Sequence, residues 1–122
     1  MLKDIKVLKN CSTKSYQKMN DIEEQEEHLY ELYYATIFKK ELKKFKKQAE
    51  KIKKILAVVK LLEKGGVSEI PKKMKPHMLI GQYQGCLECH IEGDLLLIWQ
   101  QDDEEMVIVL ERLGSHLELF SK

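Results

Sequence analysis

Cys86-Leu87-Glu88-Cys89-His90-Ile91-Glu92-Gly93-Asp94-Leu95-Leu96-Leu97-Ile98-Trp99-Gln100-Gln101-Asp102-Asp103-Glu104-Glu105-Met106-Val107-Ile108-Val109-Leu110-Glu111-Arg112-Leu113 is where the hydrophobic period of the chain changes from about 3.6 to about 2. Residues 86–92, 95–101 and 105–113 read as three strands. Gly93-Asp94 and Asp102-Asp103 separate them by spacings short enough for consecutive antiparallel hairpins. Alternation sets Glu88, His90 and Glu92 on one face of the first strand, away from Leu87, Cys89 and Ile91, and puts Met106, Ile108, Leu110 and Arg112 together on the last. Beyond Gly114, Ser115 to Phe120 reads as one helical turn that returns Phe120 to the sheet.

Working upstream, Pro71 and Pro76 bracket a basic loop, Lys72-Lys73-Met74-Lys75, that delivers the chain to His77. Before it, Gly65-Gly66 stops a helix whose apolar stripe is Ile52, Ile55, Leu56, Val59 and Leu62. An earlier stripe, Phe38, Leu42, Phe45 and Ala49, predicts another amphipathic helix, with lysines on its other face. Leu32 to Phe38, β-branched and aromatic, reads as a strand. The order strand, helix, helix and three strands defines an α+β fold, β-α-α-β-β-β, with two helices packed on one face of an antiparallel sheet. Residues 1–31 read as an appendage, an arm or a disordered tail, with a weak strand at Leu2–Val7 and an acidic helix capped at Asn20-Asp21. The domain proper is 32–122.

At 122 residues with 43% apolar content, the chain is one globular domain able to bury a core without metal or disulfide. No apolar run reaches the roughly 18 residues of a membrane span, and the N-terminus lacks a secretory core. A cytoplasmic protein with reduced thiols is expected. The net charge of +1 is a cancellation, with −2 over residues 1–33, +10 over 34–76 and −7 over 77–122. The basic middle third points to a polyanion-facing surface made by Lys39, Lys40, Lys43, Lys44, Lys46, Lys47, Lys51, Lys53 and Lys54. Cys86-Leu87-Glu88-Cys89-His90 matches the CxxCH pattern of haem attachment and half of a zinc site. On a strand, however, Cys86 and Cys89 point to opposite faces and cannot share a metal, so Cys89 reads as a small buried hydrophobe and no metal site is expected.

His77, His90 and His116 fall in segments expected to converge with Arg112 and Asp94. Imidazoles that titrate near neutrality serve as general acid and base, and an Arg stabilises charge developing on a phosphorus centre. Beside a Lys-rich helix, this set suits RNA phosphodiester cleavage. The residues that carry it, His77-Met78-Leu79-Ile80-Gly81-Gln82-Tyr83-Gln84-Gly85, Glu88-Cys89-His90-Ile91-Glu92-Gly93-Asp94 and Arg112-Leu113-Gly114-Ser115-His116 with Leu119-Phe120, resemble the YafQ branch of the RelE-like bacterial toxins over about residues 33–121.

The resemblance implies the toxin of a type II toxin–antitoxin system, a metal-independent mRNA endoribonuclease acting on the translating ribosome, with no small-molecule cofactor. Its partners would be a cognate antitoxin protein, the ribosome and mRNA, with no membrane. Carried over by position, His77, His90, Asp94 and His116 correspond to acid–base residues, Arg112 to a phosphate contact, and Phe120 to a C-terminal aromatic of the site. The implied reaction uses the RNA 2′-OH and leaves a 2′,3′-cyclic phosphate and a 5′-OH. Asp94 or His77 is the candidate base and His116 the candidate acid, with His90 orienting or sharing either role. Leu87 replaces an Arg, Gly93 a Pro and Leu95 a Trp of the family pattern. These departures are the ground for the alternative, a catalytically weak or inactive RelE-fold module that binds RNA or antitoxin, kept behind the enzyme.

Overall fold

The computed structural model describes Tyr16–Lys18 and residues 29–120. The weak strand at Leu2–Val7 and the acidic helix after Asn20-Asp21 lie outside the described residues. The elements in order are β1 (Tyr16–Lys18), β2 (Glu31–Ala35), α1 (Thr36–Lys43), α2 (Ala49–Gly65), β3 (His77–Met78), β4 (Leu87–Glu92), β5 (Leu95–Asp102), β6 (Val107–Gly114) and α3 (His116–Phe120). They form a six-stranded sheet in the order β1-β2-β6-β5-β4-β3. The α+β order expected from the hydrophobic pattern is present, and the helical turn at the end is α3.

The sheet is mixed where an antiparallel one was expected, because β2 runs parallel to β6 while the other neighbours are antiparallel. The two helices return the chain reversed into β3, and three successive hairpin steps leave β6 pointing the way β2 does. Extending the first strand to Phe38 also needs correction. Strand β2 ends at Ala35, and Ile37 and Phe38 are the first turn of α1. Phe38 shares helical spacing with Glu41 and Leu42 and is buried from that helix. Dividing the chain between 31 and 32 cuts a strand: Tyr30 is in the core, and the N–H groups of Leu29 and Tyr30 both donate to the Glu63 carbonyl at 3.1 Å.

Between α1 and α2 the chain tightens into i to i−3 hydrogen bonds, Lys44 to Glu41, Phe45 to Leu42 and Lys46 to Lys43. Like charges repeated at helical neighbour spacing (Lys39, Lys43, Lys46, Lys47) disfavour one continuous helix there. Helix α2 ends at Gly66, whose φ of +70° suits glycine and where a Cβ would meet the Gln101 amide at 2.7 Å. That amide accepts the N–H of Val67 and the indole N–H of Trp99, and donates to Asp103, which also accepts the Tyr30 hydroxyl. The end of α2 is thereby pinned to β5.

Strand β5 is buried on both faces. Leu95, Leu97 and Trp99 meet Ile55, Val59 and Leu62 on the helix side, while Leu96 and Ile98 meet Cys86 and Leu119 on the other. No helix among the described residues is long and apolar enough to cross a membrane.

Candidate active site

Two β-bulges decide which side chains face α3. Between β4 and β5 the register passes from His90–Leu96 to Glu92–Leu95, so Ile91 is the extra residue. Glu92 therefore leaves the face it was expected to share with Glu88 and His90, and meets Lys51 and Lys54 of α2 at 2.8 and 2.7 Å. Between β5 and β6 the register passes from Ile98–Arg112 to Trp99–Leu110, with Glu111 extra. Arg112 is thereby separated from Met106, Ile108 and Leu110, with which simple alternation grouped it. One cross-strand row on the α3 face now reads His77, Glu88, Ile98, Arg112, and the next His90, Leu96, Gly114.

Arg112 sits where, among the described residues, β6 has no strand on its outer side, because pairing with β2 ends at Leu110. Glu41 of α1 fills that gap. Its carboxylate accepts the backbone N–H of Leu113 at 2.8 Å and both Nε–H and Nη2–H of Arg112, the latter at 2.7 Å. Nη1–H donates to the Tyr83 hydroxyl at 2.6 Å. Burial opposes the charge on Arg112, but the Glu41 carboxylate and Tyr83 outweigh it and hold the proton more tightly than usual. Tyr83 in turn donates to the Leu119 carbonyl at 2.9 Å, and its ring meets Phe120 edge-on, with centroids 5.4 Å apart. Phe120 lies against the His116 imidazole, with centroids at 4.7 Å.

Helix α3 opens on a capping box. Ser115 Oγ accepts the Glu118 N–H, and Glu118 Oε1 accepts the Ser115 N–H, which holds the Glu118 carboxyl below its ordinary range. A Cβ at Gly114 would meet that carboxylate at 2.7 Å, so a larger residue there would displace the Glu118 side chain from its capping position. Asp94 Oδ1 accepts the His116 N–H at 3.0 Å, tying the β4–β5 turn to α3.

Arg112 is thus linked through Tyr83 to Phe120, and Phe120 through His116 to Asp94. His77 is on the far edge, about 14 Å from Arg112 by three strand spacings. Its Nδ1–H donates to the Lys75 carbonyl at 2.7 Å, and its Nε2 lies 3.1 Å from Glu88 Oε1. Glu88 is buried, and its Oε2 has no partner among the described residues. His90, half-buried, lies between these groups on the adjacent row.

Two further residues of the site, Glu41 and Tyr83, lie outside the sequence-predicted set, although Glu41 is the single acid among residues 39–47 and Tyr83 lies within the motif of residues 77–85; Ser115-x-x-Glu118 is a capping signature readable without a structure. Cys86 and Cys89 belong to the two opposite apolar clusters, and burial pushes the Cys89 thiol up to about 12.

Lys39, Lys40, Lys43, Lys44, Lys46, Lys47 and Lys53 are exposed, whereas Lys51 and Lys54 are engaged by Glu92. Between the α1–α2 connection and the site lies a cleft of about 520 Å³ whose lining includes Lys44, Lys51, Asp94, Ser115 and Glu118. Hydrogen bonds from Lys51 and Lys54 lower the Glu92 carboxyl from 4.5 to about 2. A carboxylate lowered on folding stabilises above its unfolded value and stops doing so as the pH falls through the folded one. Glu92→Gln should therefore flatten the fall in stability between pH 4.5 and about 2, read by urea unfolding across that range.

A family model described as a bacterial toxin of type II toxin–antitoxin systems, YafQ, matches residues 30–121. The putative toxin YafQ of Haemophilus influenzae is 39% identical over 49 residues, covering 38% of this chain and 48%, about half, of that protein. The mRNA interferase toxin YafQ of Escherichia coli K12 is 28% identical over 90 residues, 74% of this chain and 95% of that one. The crystal structure of the E. coli DinJ-YafQ toxin–antitoxin complex superposes with a TM-score of 0.67 at 27% identity, covering 76% of this chain and 99% of that chain. With most of its length inside the family match and the same fold, the chain belongs to the YafQ family of bacterial toxins of type II toxin–antitoxin systems.

Proposed function

We propose that this chain is an mRNA endoribonuclease that cuts on the translating ribosome by metal-independent acid–base chemistry and is held in check by an antitoxin protein. The observation that carries the reading is the contiguous set Asp94, His116, Phe120, Tyr83 and Arg112 beside a cleft whose lining includes Lys44, Lys51, Asp94 and Glu118. The E. coli relative is named an mRNA interferase, and E. coli YafQ was crystallised in a toxin–antitoxin complex with DinJ. His116, exposed on α3, protonates the leaving 5′ oxygen. Asp94, which accepts the His116 N–H, takes the 2′ proton, with His90 orienting or sharing either role. Phe120 supplies the aromatic face behind the acid. Three of the five N–H donors of Arg112 are taken by Glu41 and Tyr83, leaving one each on Nη1 and Nη2 for a phosphate oxygen.

That partial engagement also favours the second reading, a weakly catalytic module that binds RNA or antitoxin. Expression of the chain alone, with mapping of mRNA 5′ ends in translating and initiation-blocked cells, tests the two. Translation-dependent cuts bearing 5′-OH, insensitive to chelator in an extract, support the enzyme. Growth arrest without cuts supports the module.

The exposed lysines are the proposed contact to ribosomal RNA. Reversing Lys43, Lys46 and Lys47 to Glu, which spares the Glu92 pairs, should weaken ribosome binding. Each lost phosphate contact should flatten the salt dependence by about 0.7–0.9 in log–log slope. Filter binding between about 50 and 200 mM salt measures it, and an unchanged slope removes these lysines from the interface.

A further inference from the structure

We propose that Tyr83 is a positioning residue for cleavage, its hydroxyl joining Arg112 to the last turn of α3 so that Phe120 and the His116 imidazole are held at a fixed angle. The inference rests on the cleavage reading above. A one-turn helix such as α3 does not hold its own geometry, because fixing the first turn costs more than its hydrogen bonds return. Its start is clamped by the Ser115–Glu118 box and by Asp94. Its end is clamped by Tyr83, through the 2.9 Å bond to the Leu119 carbonyl and the 88° edge contact with Phe120.

Tyr83 is itself fixed. It ends the short 3-10 turn Gly81–Tyr83, and its carbonyl accepts the Cys86 N–H at 2.9 Å. On its other side the hydroxyl accepts from Arg112, whose remaining bonds lead to Glu41 of α1. Burial keeps the phenol protonated, so it donates to Leu119 while accepting from Arg112. The relay Glu41, Arg112, Tyr83, α3 thus refers the orientation of the acid to the rigid helix layer. Phenylalanine at 83 keeps the ring contact and breaks the relay at one atom.

The experiment compares full-length protein with Tyr83→Phe and Tyr83→Leu in single-turnover cleavage of mRNA on programmed ribosomes, alongside NMR titration of the histidine Cε1–H resonances. Tyr83→Phe should lose about tenfold in rate with an apparent KM within about twofold of wild type, because angle and not ribosome binding is lost. The His116 resonance should shift while those of His77 and His90 stay in place. Tyr83→Leu, which also removes the ring, should cost more in rate. A Tyr83→Phe rate within about twofold of wild type with an unmoved His116 resonance overturns the proposal. So does an equal disturbance of all three histidines, which would mark general loosening. If wild type itself does not cleave, the functional reading fails, and the selective movement of His116 still decides the positioning.

Discussion

His116→Ala is expected to lower mRNA cleavage by about 10²–10⁴-fold, the usual worth of a positioned general acid, without unfolding the protein. The imidazole is exposed, and the interactions that hold its helix run through other groups: the Ser115 hydroxyl, the Glu118 carboxylate and the backbone N–H that Asp94 accepts. Alanine retains that N–H and has the higher helix propensity. What is lost is the ring against Phe120 and the proton it carries. Single-turnover cleavage on programmed ribosomes, with ribosome affinity measured separately, reads the effect. Affinity should stay near that of wild type, since the lysines are untouched. Residual cleavage within about tenfold of wild type would move the acid to another residue.

Much of the fold is legible in the sequence, and the exceptions have physical causes. Strand and helix positions follow from hydrophobic period and short hairpin spacings, which also place Asp94 and Ser115-His116 at the ends of neighbouring strands. Side-chain facing did not follow, because one extra residue at Ile91 and another at Glu111 invert the alternation locally and leave no compositional mark. Glu92 was therefore grouped with His90 although it serves α2, and Arg112 with Leu110 although it faces α3. The parallel pairing of β2 with β6 was hidden for a different reason. It depends on how many times the chain reverses between two distant segments, which the pattern within either segment does not encode.

Glu41→Ala is the substitution expected to cost most in stability, about 3–5 kcal/mol, the usual penalty for removing one partner of a buried ion pair. Read from charge alone, it deletes the single acid in a run of six lysines and should strengthen polyanion binding. The packing argues otherwise. Glu41 is 6% exposed, and its two oxygens together satisfy Arg112 and the N–H of Leu113 on the strand edge that β2 leaves open. Without them a half-buried guanidinium keeps only Tyr83, and a buried backbone donor has no acceptor, each defect costly in its own right. Glu41→Gln should fall between wild type and alanine, because an amide oxygen still accepts one donor but brings no charge. Adding Arg112→Met to Glu41→Ala should recover part of the loss, since the stranded charge leaves with its partner. Urea unfolding followed by far-ultraviolet circular dichroism closes this double-mutant cycle. A loss below about 1 kcal/mol for Glu41→Ala would mean that water reaches Arg112 and that the pair behaves as a surface contact.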